Sequence, residues 1–307
     1  MKNEFDRDEL LRRVTSARVA PGNARVRAVT ERIVKDLFKT IEEMEVRPDE
    51  FWAAVQWLSR LGASGQAGLL TAGLGFDRLM DILEDERDAR AGLAAGTPRA
   101  IEGPLYVPGA PISDYEARLD NGKMAGTAYV MEGQVKGVDG KPLAGAVVDV
   151  WHANENGAYS HFDPSQEAYN LRRRITADGQ GRYRFRSVLP PGYAIPPNSP
   201  ISELFGLLGR HGNRPAHIHF LVSAPGQRTL TTQVNIPGDT YIDDDFAFAT
   251  RDGLVVNLEP AVAPAGYESL GIDAPFTRIR FDFTLQPAAA PAESEHLGRI
   301  EKATREA

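Results

Sequence analysis

The chain has 307 residues, 42% of them hydrophobic, enough to bury one large core or two smaller ones. It contains no cysteine, which excludes disulfides, zinc–thiolate centres, iron–sulfur clusters and thiol nucleophiles, so any metal must be held by nitrogen and oxygen. The net charge of -7 argues against binding a phosphate backbone, and therefore against nucleic acid as a partner.

The charged start MKNEFDRDELLRRV lacks the apolar stretch of a signal peptide, and no later run reaches the roughly 20 apolar residues that span a bilayer. A cytoplasmic location is the expectation. From residue 8 to about 93 the pattern is helical. Val26, Val29, Ile33, Leu37 and Ile41 recur every three or four residues and form one apolar stripe, which needs a partner. Pro48 opens a new segment, with Asp49 as the expected N-cap of a helix ending at Gly62, and a third helix runs from Phe76 to Gly92.

After Thr97-Pro98 the character changes. GTAYVMEGQVKG, AGAVVDVWHA, GRYRFRSVLP, AHIHFLVSAPG, RTLTTQVNIPG and FTRIRFDFTLQP are short runs rich in β-branched and aromatic residues, separated by turn formers. They predict an antiparallel β-sandwich, with Asp139-Gly140 and Asp178-Gly179 as hairpin connections. The expected fold is thus mainly β with α: a helical segment over 1–100, a sandwich over 101–290 and a tail over 291–307.

His217 and His219 stand two apart in a β-like run, so both imidazoles project from one face of a strand and could share a metal. The alternative is a pair of core histidines held in hydrogen bonds. His152, His161, His211 and His296 have no such pairing, which leaves carboxylates and phenolates as further donors. Tyr159 in ENGAYSHFD and Tyr193 in LPPGYAIPP stand out because each lies in a Gly- or Pro-rich loop, where functional side chains concentrate. Either tyrosine alone reads more readily as a buried ring with its hydroxyl hydrogen-bonded.

Seven stretches together decide between these readings: GLLTAGLGFD, TPRAIEGPLYVPGAP, VDVWHANENGAYSHFD, LRRRIT, LPPGYAIPP, GRHGNRPAHIH and DDFAFATRDGLV. In order and spacing they resemble the intradiol ring-cleaving dioxygenases over nearly the whole chain, with IEGPLY and FAFATR nearest to the catechol 1,2-dioxygenase branch. The resemblance implies one ferric ion per subunit on Tyr159, Tyr193, His217 and His219, with Tyr193 as the displaced axial ligand and Tyr159 retained. It assigns Arg214 and Gln233 to the positions beside the iron, and Leu69, Ala72, Ile101, Pro104, Leu105, Phe246 and Ala247, with Arg214, to the substrate pocket.

The chemistry is consistent with that donor set. A phenol of pKa near 10 ionises on a hard trivalent cation, and two phenolates with one hydroxide balance its charge. The implied reaction is opening of catechol by O2 between its hydroxyl-bearing carbons to cis,cis-muconate, in bacterial aromatic catabolism of the β-ketoadipate type. Ala72, where such enzymes often carry proline, and Ala194-Ile195, in place of a commoner Gly-Cys pair, would reshape the pocket toward methylcatechols or chlorocatechols. Hydroxyquinol is a further alternative substrate, and a non-catalytic sandwich module binding a ligand or metal is the rival of another class. The resemblance also implies a homodimer built by the N-terminal helices, with a phospholipid between subunits.

Overall fold

The computed structural model describes residues 6–17, 22–122, 126–262, 265–272 and 275–288, so the expected tail over 291–307 lies outside the described residues. It divides into two compact units, Met1–Ala63 and Ser64–Ala307. Among the described residues no helix is long and apolar enough to cross a membrane.

The first unit holds α1 (Arg7–Ser16), α2 (Ala24–Glu43) and α3 (Pro48–Ala63). The Asn23 side chain caps α2 by accepting from the Val26 amide at 3.0 Å, and the stripe Val26, Ile33 and Leu37 stays more than half exposed. Asp49 is not an N-cap. The helix already includes Pro48, whose fixed φ and missing N–H suit a first helical position, so Asp49 sits inside the first turn. Glu50 reaches back instead and accepts from the Arg47 amide at 2.9 Å.

The second unit opens with α4 (Ala67–Gly73) and α5 (Phe76–Arg90). The strands follow: β1 (Ile112–Asp114), β2 (Glu116–Arg118), β3 (Ala128–Gly137), β4 (Val147–Trp151), β5 (Arg172–Thr176), β6 (Arg182–Val188) and β7 (Tyr193–Ala194). After α6 (Pro200–Leu207) come β8 (Asn213–Arg214), β9 (His217–Ser223), β10 (Leu230–Asn235), β11 (Glu259–Ala261), β12 (Phe276–Arg280) and β13 (Phe283–Leu285). One sheet runs β1-β5-β4-β9-β10 and the other β11-β12-β3-β6-β2, with β13 also on β3, while β7 and β8 form a separate ribbon.

The sandwich is present, but its sheets are mixed. β1 lies parallel to β5, β2 to β6, and β12 and β13 to β3. The reason is local for β1 and β2: they are one extended run broken at Tyr115, whose φ of 61° turns the chain from one sheet to the other. Asp178-Gly179 is likewise not a hairpin turn within a sheet, because β5 and β6 belong to different sheets, and the left-handed residue there is Gly181 at φ 69°. Asp139-Gly140 does close a local hairpin, with Lys136 and Pro142 bridged beneath it.

Alternation along the strands separates core from site. In β9, Ile218, Phe220 and Val222 enter the core between the sheets together with Val148 and Val150 of β4 and Val234 of β10. His217 and His219 therefore project from the opposite face, where the register sets Trp151 and Gln233 on either side of His219 and Asn235 beside His217.

Candidate metal centre and active site

The outer face of the first sheet is the floor of a cavity of about 260 Å³. His219, Arg214, Tyr159 and Tyr193 line it, and so do Leu69 and Ala72 from α4, Ile101, Pro104 and Leu105 from the segment before β1, and Phe246 and Ala247 after β10. Every pocket position expected from the sequence is on this wall. His217 and Gln233 lie buried just behind it. The wall further includes Ala194 and Ile195, the pair expected from the sequence to reshape the pocket, and Gly103, Gly157, Ala158, Phe162, Asp163 and Pro196, which were not singled out as pocket residues.

Four donor groups converge there. The two histidine Nε2 atoms are 3.0 Å apart, and the Tyr193 hydroxyl is 3.5 Å from His217 Nε2. The Tyr159 and Tyr193 rings meet edge to face, centroids 5.7 Å apart. His217 Nδ1 lies 2.7 Å from the Pro215 carbonyl, which can only accept, so Nδ1 carries the proton and Nε2 presents its lone pair to the cluster. Burial lowers the His217 pKa to about 3, with Arg214 adding to the effect, and burial drives His219 well down too, so both rings are neutral donors. The Tyr159 hydroxyl is buried without a hydrogen-bond partner, and burial raises its pKa well above the usual value. An unpaired buried phenol is costly, and a cation in reach of its oxygen would relieve that cost.

No cluster of three or more His, Cys, Asp and Glu capable of holding a metal occurs among the described residues. A metal at this cavity would therefore be held by imidazole nitrogen and phenolate oxygen, a set suited to a hard trivalent ion.

Each donor has a local support. Trp151 lies flat on the His219 ring at 5.0 Å with an interplanar angle of 5°. Asn154 holds the turn that carries Tyr159, its side-chain oxygen accepting from the amides of Asn156 and Ala158 at 3.0 and 2.9 Å. Buried Arg172 donates to the Ser160 hydroxyl and carbonyl at 2.8 and 3.0 Å, and its guanidinium sits 5.8 Å from the centre of the Tyr159 ring. Tyr193 is not in an open loop: it pairs with Arg214 across the β7–β8 ribbon. A side chain at Gly192 would come within 2.7 Å of the Arg214 carbonyl, which is why the residue before Tyr193 is glycine.

Arg214 and Gln233 are both buried, neither in a surface ion pair nor on an exposed strand face. Arg214 donates to Gln233 Oε1 at 2.8 Å and to both Asp245 oxygens at 3.1 and 3.2 Å, while its Nη1 is 3.0 Å from His217 Nε2. Gln233 Nε2 donates to Asn235 at 3.1 Å. Burial alone would lower the Arg214 pKa, but Asp245 and the tyrosines outweigh it and raise it. Asp245, Arg172, Asn154 and Trp151 were not identified from the sequence as support for these side chains. The stretches DDFAFATRDGLV, LRRRIT and VDVWHANENGAYSHFD contain them, but no spacing rule says which ligand each one touches.

The family model described as Dioxygenase matches residues 101–287, and the one described as Catechol dioxygenase N terminus matches residues 23–92. The chain belongs to the intradiol dioxygenase family. Among intradiol dioxygenases, the catechol 1,2-dioxygenase 2 of Acinetobacter lwoffii is 58% identical over 258 residues, covering 84% of this chain and 92% of that one. The solved catechol 1,2-dioxygenase of Acinetobacter sp. ADP1, inhibited by bound mercury, superposes with a TM-score of 0.88 at 47% identity, covering 94% of both chains. The chlorocatechol 1,2-dioxygenase of Pseudomonas sp. strain P51 is more distant, 30% identical over 263 residues, 84% of this chain and 98% of that one.

Proposed function

We propose that the protein cleaves catechol with O2 between its two hydroxyl-bearing carbons, giving cis,cis-muconate with both oxygen atoms retained, on a ferric ion held by Tyr159, Tyr193, His217 and His219. The observation that carries this reading is the convergence of two phenols and two neutral imidazoles at the floor of one apolar cavity. Higher identity to catechol 1,2-dioxygenases than to the chlorocatechol enzyme supports catechol as the substrate. Ferric iron there would draw electron density from the bound catecholate and make its ring carbon reactive toward dioxygen.

The residues supply the rest. Tyr193 is less buried than Tyr159 and stands at the cavity edge, so its phenolate oxygen is the group that takes a proton from an arriving catechol hydroxyl. Arg214 Nη1 meets negative charge developing on the ring oxygens, in a site where burial strengthens the interaction. Leu69, Ala72, Ile101, Pro104, Leu105, Phe246 and Ala247 exclude water and hold the ring. The visible spectrum of purified protein tests the assignment. Tyrosinate-to-ferric charge transfer should make it red, and anaerobic catechol should move the band to longer wavelength. Protein that stays colourless after ferric reconstitution would remove the four-ligand site. Tyr193→Phe should keep part of the absorption and lose most of the rate.

The exposed stripe on α2 supports a homodimer made through the N-terminal helices. A phospholipid between the subunits and a cytoplasmic location are proposed with it on the family resemblance. Light scattering that returns twice the chain mass, and mass spectrometry of a denatured extract that finds a lipid, are the expected results.

A further inference from the structure

We propose that Asp245 is a positioning residue for the reaction: its carboxylate aims one edge of the Arg214 guanidinium at the substrate and cancels that guanidinium's charge beside the iron. This rests on the functional reading above, because it assigns Arg214 to the substrate.

The geometry leaves Arg214 little freedom. Its Nε donates to Asp245 Oδ1 at 3.1 Å, and its Nη2 donates to Asp245 Oδ2 at 3.2 Å and to Gln233 at 2.8 Å. Only Nη1 remains turned to the donor cluster, 3.0 Å from His217 Nε2. A two-point carboxylate contact fixes both the plane and the rotation of a guanidinium, which a single hydrogen bond does not.

The same carboxylate is itself immobile. Oδ1 accepts from the Ala247 amide at 3.0 Å and Oδ2 from the Ala249 amide at 3.1 Å, while the Phe246 amide donates to the Asn213 carbonyl next to Arg214 at 2.9 Å. Phe246 and Ala247 are cavity wall, so one side chain sets the arginine and the wall against which the ring packs. Both partners are more than nine-tenths buried, and a buried ion pair of this kind is a weak source of stability compared with apolar residues of the same volume. Orientation and charge balance explain its presence better. An unpaired guanidinium touching an iron-ligating histidine would add a full positive charge beside a trivalent ion.

The experiment compares Asp245→Asn, Arg214→Met and the double variant with the parent enzyme, using Asp244→Asn, an exposed neighbour, as the control. Iron content, the visible band and its shift with anaerobic catechol, kcat, KM and the ferric reduction potential are measured for each. Asp245→Asn should keep iron and the catechol-induced shift, lose about 10- to 100-fold in kcat with a smaller change in KM, and become easier to reduce than the parent. The double variant should have the kcat of Arg214→Met alone, because Asp245 acts through that side chain. A kcat for Asp245→Asn within threefold of the parent, an unchanged potential, or losses that multiply in the double variant would each overturn the proposal. Should Asp245→Asn not fold, Asp245→Glu, which keeps the charge but displaces both oxygens, takes its place: kcat should fall about 10-fold with iron retained, and a kcat within threefold of the parent would overturn the proposal. Failure of the functional reading looks different: the parent itself would then be colourless or inactive on catechol.

Discussion

Gly157 is where the loops carrying the two tyrosines meet. Its φ is 79°, and a Cβ placed on it would lie 2.9 Å from the Cβ of Tyr193. Gly157→Ala therefore forces a left-handed backbone on a residue with a side chain, at about 1–3 kcal/mol, and pushes Tyr193 away from His217. The expected result is a protein that folds with lower thermal stability, binds less iron and shows weaker charge-transfer absorption, checked by metal analysis and visible spectroscopy on the same sample. Tyr159, Tyr193, His217 and His219 were legible from local context as candidates, the histidines as a pair on one strand face and the tyrosines among glycines and prolines, and only the resemblance to the intradiol dioxygenases joined them into one donor set. Their supports were not. Arg214 meets Asp245 across 31 positions and Arg172 meets Ser160 across 12, and periodicity sees only neighbours on the same element.

Among the elements, α6 shows the same boundary. A helix over residues 200–207 is not among the elements expected from apolar spacing, although Ser199-Pro200 is a helix start by its own chemistry: the Ser199 hydroxyl accepts from the Ser202 amide, and Pro200 takes the first position. The helix matters because Phe205 packs on Phe246 of the cavity wall, ring centroids 4.7 Å apart. Ser199→Ala should cost about 1 kcal/mol, lowering Tm by about 2–4 °C. Because the loss lies behind the wall and away from the donors, KM for catechol should rise by about fivefold at most with kcat retained. Steady-state kinetics with a thermal melt separate this from a defect at the iron. The strand runs were legible too, since β3, β4, β6, β9 and β10 each fall inside an apolar, turn-bounded run. Strand direction was not, because β1, β2, β12 and β13 join their neighbours through long connections, and composition carries no information about which way a distant strand arrives.

At the scale of the whole molecule, folding depends on keeping buried histidines neutral. His152 is enclosed at the end of β4, with Nε2 2.8 Å from the Ser187 hydroxyl and Nδ1 2.7 Å from the Ala153 carbonyl. Burial lowers its pKa from 6.5 to about 4, with Arg172 acting in the same direction and the Ala153 contact and Asp120 opposing. In the unfolded chain the ring takes up a proton near pH 6.5, whereas in the folded protein it does so only near pH 4. A group with a depressed folded pKa of this kind leaves stability intact above the unfolded value. Stability then declines as the pH falls from about 6.5 to 4, because the unfolded state gains the proton first, and the full difference is up to about 3 kcal/mol. His217 and His219 contribute in the same direction, and iron loss in acid adds to the effect, so the histidine behind Trp151 has to be isolated by substitution. His152→Gln keeps a polar partner for Ser187 and removes the titration. Its melting temperature at pH 7.5 should lie below that of the parent, yet fall less steeply between pH 7 and 5, so the two curves converge on acidification. Parallel curves would mean that the buried ring is not part of the acid sensitivity of this fold.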